Sequence, residues 1–239
     1  MPSGPYIKPQ KLDQFALGYY TKVKEVKLES EVFYKKIKNR LDYIDGADLV
    51  ANDNIETVIL PGRSRAYGME LLLKKNLGRH KYWIAYTLSK SEQKTPGRNN
   101  NENGINMSKW YNTPYDKTHD FSINSEYNIN KKLKIVGNFI FQTGQPTNYP
   151  NSQYNYMNLN VPNYGERNSQ RLPDYHRLDI NLTLTPNKND KKIESSWVFG
   201  VYNIYDRDNA SSIIFRRNNE TLKNEAVQIS IFGIVPSVT

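Results

Sequence analysis

Apolar residues in this chain return at every second position, and they almost never sustain the three- and four-residue spacing of a helix. Period two sends successive side chains to opposite faces of an extended strand, so each such stretch has one apolar and one polar face. The clearest runs from 133 to 143, where Leu133, Ile135, Phe139 and Phe141 alternate with Lys134, Asn138 and Gln142. Before it, Phe121, Ile123, Tyr127 and Ile129 alternate with Asp120, Ser122, Asn124 and Glu126, and Asn128 to Lys131 supplies turn chemistry between the two. Leu178, Ile180, Leu182 and Leu184 stand opposite Arg177, Asp179, Asn181 and Thr183, followed by Pro186, a polar turn from Asn187 to Lys192 and a return from Ile193 to about Tyr205. Met69, Leu71 and Leu73 alternate with Glu70, Leu72 and Lys74, Leu72 being the one misfit, and after Asn76 to Arg79 the chain returns through Tyr82, Ile84, Tyr86 and Leu88. A fainter pair has Phe15, Leu17 and Tyr19, then Leu28, Val32 and Tyr34, and a ninth segment spans Val227 to Ile234.

Short turns near 22–25, 76–79, 128–131 and 186–192 alternate without exception with long segments at 39–62, 91–117, 144–172 and 206–224. Four long structureless loops would count against the strands in a compact soluble domain. Outer-membrane barrels are built this way, with short turns on one side and long loops on the other. Hydrocarbon cannot hydrogen-bond a backbone, so spanning strands pair on both edges and turn every second side chain to lipid. A Lys or Arg on that face at mid-bilayer costs about 2–4 kcal/mol. On this parity Glu70, Lys74, Glu126, Lys134, Arg177 and Asp179 all fall on the other face. The expected fold is all-β, an antiparallel transmembrane β-barrel segment of about nine strands with short periplasmic turns and long extracellular loops.

Composition narrows the alternatives. No stretch of the 239 residues approaches the ~20 apolar residues of a spanning helix, and a mean hydropathy of -0.77 suits either a barrel or a soluble β domain. Eighteen Tyr and three Trp suit interface girdles, and equally a carbohydrate- or nucleic-acid-binding groove. The net charge is +9, but the basic residues are dispersed, which argues against a nucleic-acid partner. Without cysteine, disulfide scaffolds, thiolate catalysis and Cys-ligated metal sites are excluded. Met1-Pro2-Ser3-Gly4 does not open an export signal, so an exported protein is expected to begin upstream of this chain.

Several strings carry a family likeness: Arg65-Ala66-Tyr67-Gly68-Met69-Glu70, Trp83 to Ser89, Trp110-Tyr111, Tyr115-Asp116-Lys117-Thr118-His119-Asp120, Thr143-Gly144-Gln145-Pro146, Arg167-Asn168, Arg171 to Asp179 and Val201 to Arg207. Together they resemble the C-terminal barrel of TonB-dependent outer-membrane receptors, those of Bacteroidetes most of all. The resemblance implies that residues 1–239 form part of a 22-stranded barrel whose plug, remaining strands and final C-terminal strand lie elsewhere. It implies substrate uptake energised through TonB, a Gram-negative outer-membrane location, and no catalysed reaction. The implied partners are outer-membrane lipid and lipopolysaccharide, the receptor's own plug, the TonB complex and a surface lipoprotein, with no cofactor.

The residues offer no catalytic constellation, since His80, His119 and His176 have no Ser or acid at a recognisable motif spacing. His119-Asp120 and Asp174 with His176 do not define a metal ligand set. Trp110, Tyr111 and Tyr115 are candidate ligand contacts because aromatic loop residues stack on sugars and chelates, or else they pack among loops. Arg167 and Arg171 either grip an anionic ligand or hold a loop to the wall. Glu70, Asp120, Glu126, Arg177 and Asp179 are expected to face the lumen. Gly68, Gly137 and Gly200 lie within strands, where glycine permits a bulge or the close approach of another backbone, such as a plug. The residues leave two other readings open: a soluble β domain that binds polysaccharide, and a passive barrel without a plug.

Overall fold

The computed structural model describes residues 7–50, 52–157, 159–186, 195–218, 220 and 224–239. In chain order its strands are β1 (Lys11–Val23), β2 (Val26–Tyr43), β3 (Ile59–Leu77), β4 (His80–Lys94), β5 (Tyr111–Asn112), β6 (His119–Asn128), β7 (Leu133–Gln142) and β8 (Pro146–Thr147). Then come β9 (Pro150–Tyr156), β10 (Leu159–Tyr164), β11 (Gln170–Arg171), β12 (Tyr175–Leu184), β13 (Trp197–Tyr202), β14 (Ala210–Arg217), β15 (Asn224–Ser230) and β16 (Val235–Val238). A single antiparallel wall runs β1-β2-β3-β4-β6-β7-β12-β13-β16, and the short β5 pairs with β4 beside it. Each wall strand pairs with its neighbour in sequence, and the connections alternate short and long. Two of the short ones need only residues 24–25 and 78–79, with Lys24 and Gly78 at positive φ. The polar turn expected at Asn187 to Lys192 lies outside the described residues.

The register shows why period two is kept so strictly. Leu73, Ile84, Ile123, Phe139 and Leu178 are successive cross-strand partners, so five strands share one apolar row. The neighbouring row toward the long connections is Leu71, Tyr86, Phe121, Phe141 and His176, and the other side carries His80, Tyr127 and Ile135. The opposite face has the row Lys74, Trp83, Asn124, Asn138 and Asp179 and the row Glu31, Glu70, Thr87, Asp120 and Gln142. Leu72 sits on this polar face opposite Glu29 and Ala85, in company with Trp83, so a few apolar groups are tolerated there. The ten-residue strands β6 and β7 have the length that a tilted strand needs to cross hydrocarbon. β2, β3 and β4 have 18, 19 and 15 residues, so they project beyond the apolar band.

Three expectations change. The segment from Val227 to Ile234 is not wall: Val227 and Ile229 lie in β15, which forms a separate hairpin with β14, and the wall's last strand is β16 along β13. Alternation cannot separate a wall strand from a hairpin in a loop, because both have two unlike faces. Nor are the long connections structureless, since β5, the β8/β11 and β9/β10 pairs and the β14/β15 hairpin all form within them. Gly137 faces outward in the apolar belt with open space around it, whereas a Cβ on Gly200 would meet Asn181 and Ser237, and one on Gly68 the Leu88 carbonyl. Close approach is therefore a property of two of the three glycines, and the backbone or side chains approached belong to the wall itself.

The ladder between β2 and β3 is broken once. Their pairing slips at Lys38/Arg40, where Asn39 takes φ 57. Below this bulge Lys35 pairs with Ala66, and above it Asp42 pairs with Leu60, so the face reached by odd residues of β2 passes to even ones. Asp42 is thereby turned to the polar face.

Candidate functional site

Most of the fully buried side chains lie together at the long-connection end of the polar face. They include Leu60, Ile105 and Tyr111, packed with Ile44, and the polar Gln93, Thr95 and Asp116. Tyr111 is carried by β5, whose pairing to Gln93 places the phenol inward. Its hydroxyl donates to Asp42 Oδ2 at 2.7 Å, accepts from Gln93 Nε2 at 2.8 Å, and lies 2.8 Å from Thr95 Oγ1. Burial raises the Tyr111 pKa well above its ordinary value of 10.0, and the Asp42 carboxylate adds to the effect.

Arg167 reaches the same carboxylate from the loop between β10 and β11. It stands 3.0 Å from Asp42 Oδ1, donates to the Tyr43 carbonyl at 2.7 Å and pairs with Asp45. Burial opposes its charge, but Asp42 and Asp45 outweigh burial and hold the guanidinium pKa above its ordinary value. Arg171 pairs with Asp116, whose side chain is fully buried, and donates to the carbonyls of Gly144 at 2.8 Å and Asp116 at 3.1 Å. The other Asp116 oxygen accepts from the Ser91 amide at 2.6 Å.

These contacts join loops distant in sequence. Asn106 and the Arg167 backbone exchange two bonds, of 3.0 and 2.8 Å, and Asn112 and Asn168 exchange two more, of 3.3 and 2.7 Å. Gly144 donates to Asp174 at 2.9 Å and lies so close to the Leu172 carbonyl that a side chain would collide with it. Residues 106–116 are thus clamped to residues 167–174 and, through Asp42, to β2, with Gly144 held against Leu172 and Asp174. Beside the clamp is a hollow of about 900 Å³ lined by Asp42, Asp45, Tyr115, Tyr164 and Arg167 among others. Tyr115 and Tyr164 are 73% and 57% exposed.

Of the aromatic candidates, then, Tyr111 is a buried part of the clamp and Tyr115 is open to the hollow. Trp110 is on the other side of the wall: the Arg65 guanidinium lies over its ring at 4.2 Å and that of Arg63 at 5.5 Å, both on outward-facing positions. Arg167 and Arg171 are occupied by carboxylates and carbonyls. Glu70, Asp120, Glu126, Arg177 and Asp179 all stand on the polar face. There Asp120 accepts from Gln142 at 2.8 Å, and Glu126 lies 3.4 Å from Lys134 and 3.7 Å from Lys81. Arg177 lies 3.0 Å from Asp179, with its charge over the Tyr202 ring at 4.0 Å. Asp179 in turn accepts from the amide of the fully buried Asn203 at 2.9 Å. His119 and His176 each meet a tyrosine, Tyr86 and Tyr205, at 2.8 Å. Among the described residues no group of three or more His, Asp or Glu is placed to hold a metal ion.

Asp42, Asp45 and Gln93 are not marked by any pattern in the sequence. Asp116 lies within one of the family-like strings, but nothing in the string gives it a role.

The family described as TonB dependent receptor-like, beta-barrel matches residues 1–204. The chain belongs to this TonB-dependent receptor family. Solved receptor structures share the fold. The ferric-catecholate import receptor Fiu from E. coli K12 in its closed form aligns with a TM-score of 0.59 at 18% identity, covering 100% of this chain and 29% of that one. The ferric citrate transporter FecA, unliganded, gives 0.57 at 16% identity over 96% and 31%. The ferripyoverdine receptor of the Pseudomonas aeruginosa outer membrane gives 0.60 at 14% identity over 87% and 25%. This receptor chain therefore spans less than a third of their length. A search of the curated proteins found no match. In receptor barrels generally, apolar rows face lipid, the opposite face lines the lumen, and long connections lie on the extracellular side.

Proposed function

We propose that this chain is the wall section of an outer-membrane receptor that takes up a scarce substrate with energy delivered through TonB, and that its clamped loops form a fixed part of the ligand-admitting mouth. The observation that carries the reading is the clamp. Asp42 joins Tyr111 to Arg167, and Asp116 joins the Ser91 amide to Arg171, which ties residues 111–116 and 167–171 to the wall beside an open hollow. Binding loops held by a rigid scaffold lose less entropy when a ligand arrives. The exposed Tyr115 and Tyr164, rather than the saturated arginines, are the ligand-contacting groups, and their rings suit a siderophore, cobalamin, glycan or peptide. Neighbours of the same fold are named for ferric catecholate, ferric citrate and ferripyoverdine, which makes a ferric chelate the first substrate to try. Translocation would need a plug, and the unpaired edges of β1 and β16 would need further strands.

The test is uptake of labelled ferric chelates by cells producing the receptor, with and without TonB. Uptake that requires TonB and falls when Tyr115 and Tyr164 are both changed to Ala supports the proposal. Uptake that is indifferent to TonB makes the protein a passive barrel instead.

A further inference from the structure

Much of the chain's net charge of +9 gathers where the wall strands meet in short turns. On the polar face there, Lys22, Lys27 and Lys74 are successive cross-strand partners, and among the described residues only Glu29 pairs with them, 3.6 Å from Lys74. Two residues nearer the turns, Lys81 stands on the same face opposite Glu126. Two further on, Lys134 lies between Asn128 and Thr183. The lipid-side parity at this end carries Val23, Val26, Tyr82 and Leu77, with Lys75 its one cation in these rows. The basic groups are therefore turned away from the bilayer.

Within this zone is a hollow of about 590 Å³ lined by Arg79, Lys81, Lys131, Lys132, Lys134 and a single carboxylate, Glu126. Glu126 is shared, at 3.7 Å from Lys81 and 3.4 Å from Lys134. Arg79, Lys131 and Lys132 have no carboxylate partner among the described residues. The turns that carry these charges are fixed by their own hydrogen bonds. The Asn128 amide donates to the Arg79 carbonyl at 2.8 Å, and the Thr185 amide donates to the Lys132 carbonyl at 2.7 Å. The Asn130 side chain accepts from the amides of Lys132 and Leu133 at 2.8 and 2.9 Å. A concave wall lined by one sign of charge concentrates counter-ions of the other sign.

We infer that the short-turn end of the lumen wall is a binding site for a small, multiply charged anion, the charge class of the substrate released there. The inference rests on the proposed uptake function, which sets the short turns at the periplasmic exit of a lumen. Parity rules out a lipid surface as the occupant, because headgroups meet the opposite face. A singly charged anion matches only part of the excess charge, whereas a polycarboxylate spreads its charge over several cations at once. Four residues of strand, about 13 Å, separate Lys74 from Glu70, which shares the same face with Glu31 and Asp120. An anion in the basic zone therefore lies in a well whose way back to the mouth leads past carboxylates.

The experiment uses the whole receptor in mild detergent and measures how fast each lysine is acetylated, by mass spectrometry of its peptides, in citrate or in chloride of equal ionic strength. Citrate is expected to slow Lys81, Lys131, Lys132 and Lys134 severalfold and to leave Lys75, on the lipid parity, unchanged. An opposite charge in contact in water is worth roughly fivefold in affinity. The triple variant Arg79→Gln, Lys131→Gln, Lys132→Gln should therefore need on the order of a hundredfold more citrate to protect Lys81 and Lys134. Protection no greater than in chloride, or unchanged in the triple variant, overturns the site. Lysines that resist acetylation even without citrate are covered by another part of the receptor, which overturns it too. Heat-modifiable gel mobility confirms that each sample is folded. The measurement needs no TonB, so TonB-dependent uptake without citrate protection defeats only this inference, whereas protection in a receptor whose uptake ignores TonB defeats the function alone.

Discussion

Replacing Ile123 by Arg and, separately, its neighbour Asn124 by Arg tests the assignment of the two faces with the smallest possible change of position. Ile123 is the fifth residue of the ten in β6 and is flanked in its row by Ile84 and Phe139. Ten residues at ~3.3 Å, tilted by ~45°, rise about 23 Å, close to an apolar band of about 25 Å, which puts Ile123 near its centre. An arginine there should cost about 2–4 kcal/mol, while one in the watery lumen at 124, in the row that contains Asp179, should cost about 0.5 kcal/mol or less. The difference corresponds to at least a tenfold change in the folding equilibrium. Denaturant titration of the receptor in lipid vesicles, followed by the gel shift between folded and boiled samples, reads both variants on one scale. Equal costs, or a larger cost at 124, would refute the parity and with it the membrane reading.

Other consequences can be checked separately. Arg171→Met leaves Asp116 buried and unpaired, at a cost of about 3 kcal/mol, and should make segment 144–174 sensitive to protease while the wall stays intact. Gly68→Ala should destabilise by about 1–3 kcal/mol because the added methyl meets the Leu88 carbonyl, whereas Gly137→Ala should be neutral or slightly stabilising, as denaturant midpoints would show. The neutral Tyr111 phenol is favoured in the folded clamp, so its stabilisation is complete below the ordinary pKa of 10.0 and is lost as pH rises above it. Protease sensitivity of the loops should rise between about pH 10 and 11, and this rise should be absent in Tyr111→Phe.

What the sequence made legible was everything that water and hydrocarbon enforce residue by residue. The rows of Ile123 and Phe139, the short turns at Lys24 and Gly78, and the placing of Glu126 and Asp179 on the polar face follow from alternation alone. The clamp did not, because its pairs join residues far apart in sequence, such as Asp42 with Arg167, and no local pattern marks a carboxylate as a partner rather than a solvated charge. Tyr111 looked like Trp110 in sequence, yet adjacent positions on an extended chain take opposite faces, and only the pairing of β5 with β4 fixes which goes inward. The β14/β15 hairpin imitated wall for the same reason, having alternation without membrane.

Asn39 divides β2 into two stretches that obey opposite phases. The stretch from Val26 to Lys38 must keep its frame, since a slip would push Glu29 and Glu31 into lipid. The stretch beyond it answers only to the mouth. If Asn39 were instead paired opposite Gly62, with the bulge lost and the residue kept, the half before it would be undisturbed and Asp42 would swing to the outside, dismantling the anchor shared by Tyr111 and Arg167; deleting the residue merely restores a regular ladder and leaves Asp42 opposite Leu60. The bulge therefore works as a phase joint, through which the mouth can be re-aimed while the part bound to the bilayer stays as it is.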